Sequence, residues 1–378
     1  MSFRQSIEQR MKHLMVVLTG LMLMLGSCQE ETVLVDDEAV GQEARQAIGF
    51  DQTFIDHAFA TRAGAPVALS DYATTMGVWG WRSDAEVTDQ PQFIDQLVTY
   101  NTTAAKWQYS PLRYWERNSI YRFYAYAPHQ TETNATVTID AVTGHIAISD
   151  VTLAGTNLQD PSTTAQQYVF STVALGDIDW MIARAGKTNL PGRFGQTVDF
   201  TMQHILSKLN VAVRINDVLA ADAGLTAVTV DSLLIRPFIA QGDFAQVLDH
   251  TPDATLASDR TAGEWTLTAA PSLTLRSAQN VSVTRTLLYI MESLVLPQDI
   301  DLQTVKLCYT LTFSDGRTER YTYQMPLTDA FGPTTEAGGQ FLSGYSYTLN
   351  FVIGPDVIAF DSGVDGWTNS IDVTKQVP

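Results

Sequence analysis

The sequence predicts an all-β protein built from two tandem antiparallel β-sandwich domains. Short segments in which apolar and polar residues alternate recur along the 378-residue chain, and turn residues separate them. Long stretches with the apolar spacing of a helix are absent from the sequence. No repeat of fixed period is evident, which disfavours a propeller or a solenoid. Many short strands with frequent turns are typical of sandwich folds.

The N-terminus is typical of a signal peptide. Basic residues precede an apolar stretch over residues 14–25, and Met11 is an alternative start to Met1. That stretch is shorter than the roughly 20 residues that a membrane-spanning helix needs. Leu25-Gly26-Ser27-Cys28 closes it and resembles the lipobox of bacterial lipoproteins. The resemblance implies removal of residues 1–27 and a lipid on Cys28 that anchors the chain in the outer membrane. A cut elsewhere, or a membrane anchor, is the alternative.

Residues 28–46 are predicted to form a flexible acidic tether. They are polar and show no sustained apolar period. Gln29-Glu30-Glu31 resembles the acidic signal that sends some outer-membrane lipoproteins to the cell surface. An ordinary solvated tether explains these three residues equally well.

The first predicted domain spans residues 47–196. Ile48, Phe50 and Phe54 are placed on one face of an alternating segment, which is the pattern of a half-buried strand. Val142-Thr143-Gly144 separates two strand-like runs and predicts a hairpin. The further strand candidates are residues 76–81, 121–126, 135–140, 145–153 and 168–175.

The second predicted domain spans residues 197–378 and follows a turn-rich stretch at residues 189–196. Its strand at residues 200–215 alternates through Leu209, Val211, Val213 and Ile215, and residues 217–225 suggest a short helix. Ser314-Asp315-Gly316-Arg317 predicts a tight hairpin. Later strand candidates are residues 227–237, 265–269, 285–296, 305–313, 318–325, 345–353 and 357–360. The last alternating face consists of Trp367, Ile371, Val373 and Val377.

Cysteine usage and charge limit the classes of function. With Cys28 lipidated, only Cys308 remains, so no intramolecular disulfide is available and stability must come from packing. Residues 1–27 hold three of the 23 basic and one of the 41 acidic side chains, which leaves 20 against 40 and a net charge of −20. Because such a surface repels phosphate backbones, nucleic-acid binding is excluded.

Motifs that carry chemistry are missing from the sequence. It has no Gly-rich phosphate loop, nucleophile elbow or zinc-ligand spacing, and its histidines are scattered. We therefore expect no enzyme, no cofactor and no bound metal, and a core or edge role for His204.

Four tryptophans are either part of the sandwich core, which we favour, or a platform on which glycans stack. They are Trp79, Trp81, Trp107 and Trp115.

Several segments in order resemble the fimbrillin family of outer-membrane fimbriae. The segments are residues 61–63, 93–100, 106–111, 113–115, 121–128 and 200–209. Together they lie between residues 61 and 209. The resemblance implies two transthyretin-like sandwiches, export as a lipoprotein, and a structural or adhesive role among other fimbrial subunits. A host protein or glycan is a further candidate partner. The alternative function is a glycan-binding outer-membrane surface lipoprotein.

The resemblance also implies a route of assembly. In polymerising members a trypsin-like protease cuts after an arginine near the N-terminus, and a strand from the next subunit replaces the strand that leaves. Carried over to this sequence, the displaced strand is residues 48–54, the cut follows Arg62, and the donor strand is residues 367–377. Arg45 is a competing cut site that would keep the first strand in place. The alternatives are an ordinary loop arginine at position 62 and a terminal strand that pairs within its own domain.

Overall fold

The computed structural model is nearly all-β, as the sequence predicts. It describes residues 46–50, 53–55, 67–154, 178–183, 186–192, 196–247, 263–276, 281–331, 339–355 and 358–366. Within these ranges, no helix is long and apolar enough to cross a membrane.

Twenty strands and four short helices make up the described secondary structure. The strands are β1 (Phe54–Ile55), β2 (Val67–Ala68), β3 (Thr75–Ser83), β4 (Gln90–Asn101), β5 (Lys106–Gln108), β6 (Ile120–Ala127), β7 (Thr136–Ile139), β8 (Ile146–Thr152), β9 (Met181–Ala183), β10 (Lys187–Pro191), β11 (Thr201–His204), β12 (Ser207–Ile215), β13 (Leu225–Gln246), β14 (Gly263–Arg276), β15 (Val281–Ser282), β16 (Leu288–Val295), β17 (Thr304–Phe313), β18 (Thr318–Pro326), β19 (Tyr345–Ile353) and β20 (Ile358–Gly366). The α-helices are α1 (Asp217–Ala220) and α2 (Leu327–Phe331), and the 3-10 helices span Leu69–Asp71 and Gln130–Glu132.

The strands form three sheets. A nine-stranded sheet has the order β2-β1-β11-β9-β6-β3-β4-β5, with β10 also paired to β6. A four-stranded sheet has the order β16-β12-β19-β20, in which β12 and β19 run parallel. A seven-stranded sheet has the order β18-β17-β13-β8-β7, and β14 and β15 also pair with β13.

Backbone pairing crosses the predicted domain boundary at residues 196 and 197. Strand β11 follows that boundary but pairs with β9 and β1 in the nine-stranded sheet. Strands β7 and β8 precede it, and β8 pairs with β13. The all-β class is therefore confirmed, whereas the division into two tandem domains stays a prediction.

Buried apolar side chains form three clusters. One draws on residues 48–202 and a second on residues 209–353. The third joins side chains from both parts, among them Tyr126, Trp180, Leu206 and Phe244. The predicted alternation in β12 is confirmed, since Leu209, Val211, Val213 and Ile215 all belong to the second cluster.

Both predicted hairpins are present. Gly144 lies between β7 and β8 with a φ of +78°, and Gly316 lies between β17 and β18 with a φ of +85°. Glycine reaches this left-handed region without the steric cost that a Cβ would bring. Strand β13 is longer than predicted, because it continues to Gln246 as a partner of β14 and β8.

Candidate functional site

The segment formed by residues 46–50 and 53–55, here called the inserted segment, lies between two distant parts of the chain. On one side, the Ile48 amide donates to the Arg113 carbonyl at 2.8 Å, and the Trp115 amide donates to the Gln46 carbonyl at 3.0 Å. Ala47 and Tyr114 form an antiparallel bridge there. This side of the segment therefore pairs as an antiparallel strand would.

The other side of the inserted segment pairs in parallel with residues 197–202. The Val198 amide donates to the Gly49 carbonyl at 2.8 Å, and the Phe54 amide donates to the Phe200 carbonyl at 3.0 Å. Strand β1 continues this pairing along β11, and β2 pairs with the opposite edge of β1. The segment is consequently an interior strand. We call the gap that it fills, between residues 113–115 and 197–202, the groove.

Side chains of the inserted segment extend into the first apolar cluster. Ile48, Phe50 and Ile55 are buried members of it. The inward position predicted for Phe54 is wrong, because its side chain is 36% exposed and Ile55 lies inward instead. Residues 48 and 50 point inward, and so do Thr53 and Ile55, so the alternation shifts by one residue between Phe50 and Thr53. That shift could not be read from the apolar pattern alone.

Phe50 is fully buried, with an exposed fraction of 0%, and four aromatic rings surround it. Its ring centroid lies 5.6 Å from those of Phe93 and Tyr109, and 6.1 Å from those of Phe123 and Phe200. Aromatic pairs at such separations add to the stabilisation that comes from burial alone. Phe50 is therefore the main apolar anchor of the inserted segment.

Two side-chain hydrogen bonds lie at the walls of the groove. The Tyr109 hydroxyl donates to the Ile48 carbonyl at 2.7 Å, and burial raises the pKa of Tyr109 to about 12. The Trp115 indole donates to the Gln196 carbonyl at 3.1 Å, which links the two walls directly. The phenol thus recognises backbone rather than a particular side chain. The indole contact holds the walls together without using any atom of the inserted segment.

Other residues singled out in the sequence lie outside the described ranges. These are Cys28, Arg45, Arg62, Trp367, Ile371, Val373 and Val377. The lipid anchor, both cut sites and the donor strand stay predictions. The preceding strand, β20, forms the edge of the four-stranded sheet, where it pairs with β19.

The four tryptophans weighed as a glycan platform are core residues. Trp79, Trp81, Trp107 and Trp115 are all buried. The guanidinium of Arg122 stacks 4.2 Å from the Trp81 ring centroid. These four rings therefore offer no flat surface to a sugar, and the core interpretation is confirmed.

Buried titratable groups form pairs rather than a catalytic array. His204 and Asp179 are almost fully buried, with Nδ1 2.9 Å from Oδ2, which agrees with the expected core role of His204. Lys208 and Glu292 form a second buried pair across β12 and β16. Among the described residues, no group of three or more His, Cys, Asp or Glu side chains could hold a metal ion. Sequence reasoning missed both pairings, because strand register decides which polar residues face each other.

A third polar network joins Asp95 on β4 to the segment after β6. The Asp95 carboxylate accepts from the Tyr126 hydroxyl at 2.7 Å and from the Gln130 side-chain amide, and it lies 3.5 Å from His129 Nε2. Burial by itself raises the pKa of Asp95, but hydrogen bonds from His129, Tyr126 and Gln130 lower it by more, so the net shift is downward. Burial lowers the pKa of His129, but its hydrogen bonds to Asp95 raise it more.

This network predicts a pH-dependent stability. The raised pKa of His129 contributes stability that is complete below about pH 6.5 and is lost as pH rises through the folded-state pKa. The lowered pKa of Asp95 contributes stability that is present above about pH 3.9 and is lost on acidification. Asp95→Asn should therefore reduce the free energy of unfolding more at about pH 5.5 than at about pH 8.5, as measured by urea denaturation.

The histidine provides the control for this pH prediction. In a His129→Gln background, the effect of Asp95→Asn should be the same at both pH values. A pH dependence that persists in this background would assign it to another group.

Comparisons with known proteins find similar chains. A family profile described as fimbrillin-like matches residues 61–367. A solved fimbrial protein from Bacteroides vulgatus is 14% identical with a TM-score of 0.52, over 86% of this chain and 100% of that chain. A cell-adhesion candidate from Bacteroides ovatus is 15% identical with a TM-score of 0.49, over 87% and 100% of the two chains. One from Bacteroides uniformis is 17% identical with a TM-score of 0.44, over 86% and 99%. No protein of curated function matches this chain.

Proposed function

The chain belongs to the fimbrillin-like family, and we propose that it is a structural or adhesive fimbrial subunit that receives a strand from another subunit after proteolysis. In this proposal it is not an enzyme. Before the cut, a lipid on Cys28 holds it at the outer surface of the outer membrane, and its body forms two transthyretin-like sandwiches. The inserted segment supports the strand-acceptor role more directly than any other feature.

Removal of the inserted segment would leave an acceptor for a strand. The Trp115 amide would lose its partner on one wall, and the Val198 amide would lose its partner on the other. The Arg113 carbonyl would lose the Ile48 amide and keep the Tyr109 hydroxyl at 3.3 Å. The floor would expose the aromatic rings that now enclose Phe50. Free backbone groups give a docking strand its strength, and pockets for alternate side chains give selectivity. Unpaired backbone and bare apolar surface are costly, so the groove favours a new occupant.

The position of Arg62 in the chain suits this mechanism. It lies between the inserted segment and β2, so a cut after it separates the segment covalently from the rest of the protein. A cut after Arg45 would leave the segment attached. Residues 367–377 are the proposed donor towards a neighbouring subunit, since an alternating apolar face is what an acceptor groove for a strand requires.

The test uses the purified mature protein and a fluorescent peptide with the sequence of residues 46–55. After treatment with an Arg-specific protease, the product cut after Arg62 should take up the peptide, and uncut protein should not. Arg62→Ala should block uptake, whereas Arg45→Ala should leave it unchanged. Uptake is measured by native electrophoresis, and mass spectrometry identifies the cut. Clean cleavage after Arg62 without uptake would overturn the strand-acceptor function and leave the family and the fold intact.

A further inference from the structure

We infer that the groove accepts a strand from a different kind of chain, one carrying an aliphatic residue and an aromatic residue two positions later, and rejects the C-terminal segment of a second copy of this protein. The inference rests on the proposed strand-acceptor function. It identifies the partner from the shape of the groove and from the sequence of the candidate donor.

The inserted segment has four inward positions, of which the adjacent pair Ile48 and Phe50 makes different demands on an occupant. The Ile48 position holds an aliphatic side chain with an exposed fraction of 1%, and the Phe50 position holds a ring with an exposed fraction of 0%. Four aromatic rings with centroids within 6.1 Å enclose the second position. A smaller side chain there leaves a cavity, because packed aromatic walls collapse only partly around a missing group. The pair of positions therefore requires an aliphatic residue and then an aromatic residue.

Backbone contacts in the groove add affinity without selecting sequence. The Tyr109 hydroxyl and the Val198 amide both bind carbonyl oxygens of the inserted segment. Any extended chain offers such oxygens at regular spacing. Selection of the partner therefore depends on the inward side chains, among them those at the Ile48 and Phe50 positions.

The C-terminal segment of this chain does not meet that requirement. With Ile371 in the Ile48 position, Val373 falls in the aromatic pocket and leaves it partly empty. With Trp367 in the aromatic pocket, Asp365 takes the aliphatic position, or Asn369 does if the strand runs in the opposite direction. Either would bury a polar side chain at a position now occupied by isoleucine, which is unfavourable.

An aliphatic and an aromatic residue two positions apart do occur close to the C-terminus, as Ile358 and Phe360. They belong to β20, which pairs with β19 along its whole length. Using them as a donor would break that pairing and remove an edge strand from the four-stranded sheet. A homopolymer in which the tail of each copy fills the groove of the next is therefore disfavoured. Residues 367–377 would serve the groove of a different subunit.

The experiment compares four fluorescent peptides on the mature protein cut after Arg62. They carry the sequence of residues 46–55, that sequence with Phe50→Val, that sequence with Phe54→Val, and the sequence of residues 367–378. Fluorescence anisotropy gives each Kd. The unchanged and Phe54→Val peptides should bind alike. Phe50→Val should bind about 100-fold more weakly or worse, and the C-terminal peptide should show no measurable binding.

The outcomes separate this inference from the proposed function. If the C-terminal peptide binds within about tenfold of the peptide of residues 46–55, the requirement for a different chain is overturned and the acceptor function stands. If Phe50→Val binds as well as the unchanged peptide, the aromatic pocket does not select the partner. If no peptide binds the cut protein, the acceptor function fails and the inference fails with it.

Discussion

Replacing Phe50 with alanine should lower the free energy of unfolding by about 3–5 kcal/mol, the usual cost of truncating a buried aromatic side chain. The side chain is fully buried, and four other rings pack against it. Truncation removes the transfer free energy of the ring and leaves a cavity between Phe93, Phe123 and Phe200. Equilibrium denaturation in urea, followed by tryptophan fluorescence, measures the loss.

Phe54 provides a matched control in the same segment. It is the same residue type four positions further on, but its side chain is 36% exposed. Phe54→Ala should cost less, about 1–2 kcal/mol, because its side chain keeps about a third of its surface in water. Equal losses for the two substitutions would contradict the buried position of Phe50 and the exposed position of Phe54.

Phe50→Ala should also let uncut protein take up the fluorescent peptide of residues 46–55, because Phe50 anchors the inserted segment in the groove.

Breaking the buried ion pair between β12 and β16 should have an effect of similar size. Lys208 Nζ lies 2.6 Å from Glu292 Oε1, and the two side chains are only 8% and 2% exposed. Burial raises the pKa of Glu292, and the nearby ammonium group of Lys208 opposes that rise. Lys208→Met removes this compensating charge from a carboxylate that stays buried. The expected loss in the free energy of unfolding is about 3–5 kcal/mol in urea denaturation.

Two further variants distinguish loss of a partner from loss of packing. The double change Lys208→Met with Glu292→Leu should recover most of the lost stability, because apolar side chains of similar volume often replace a buried ion pair without cost. Arg285→Ala breaks an exposed pair, with Arg285 Nε 3.4 Å from Asp217 Oδ1 and side chains 60% and 91% exposed. It should change stability by less than about 1 kcal/mol. A double variant as unstable as Lys208→Met would attribute the loss to packing of the lysine side chain.

The inserted segment shows where local sequence patterns lose their predictive power. Ile48 and Phe50 are inward, as an alternation of period two predicts, but Phe54 and Ile55 exchange the roles that the same period assigns them. The pattern carries no information on whether Ala47 pairs with Tyr114 or Gly49 with Thr197. Tyr114 and Thr197 lie about 70 and 150 residues further along the chain. The register of the inserted segment depends on these distant partners, so the local pattern cannot predict it.

The sequence by itself determined the all-β class, the two hairpin turns and the inward face of β12. These features follow from side-chain period and from turn chemistry, which act over a few residues. Only the tertiary structure decided that β11 joins the first sheet, that β8 pairs with β13, and that Phe50 lies among four aromatic rings. It also decided the pairing of Asp95 with His129 and of Lys208 with Glu292. Each of these depends on contacts between strands far apart in the chain, and the free energy of those contacts exists only once the sheets are assembled.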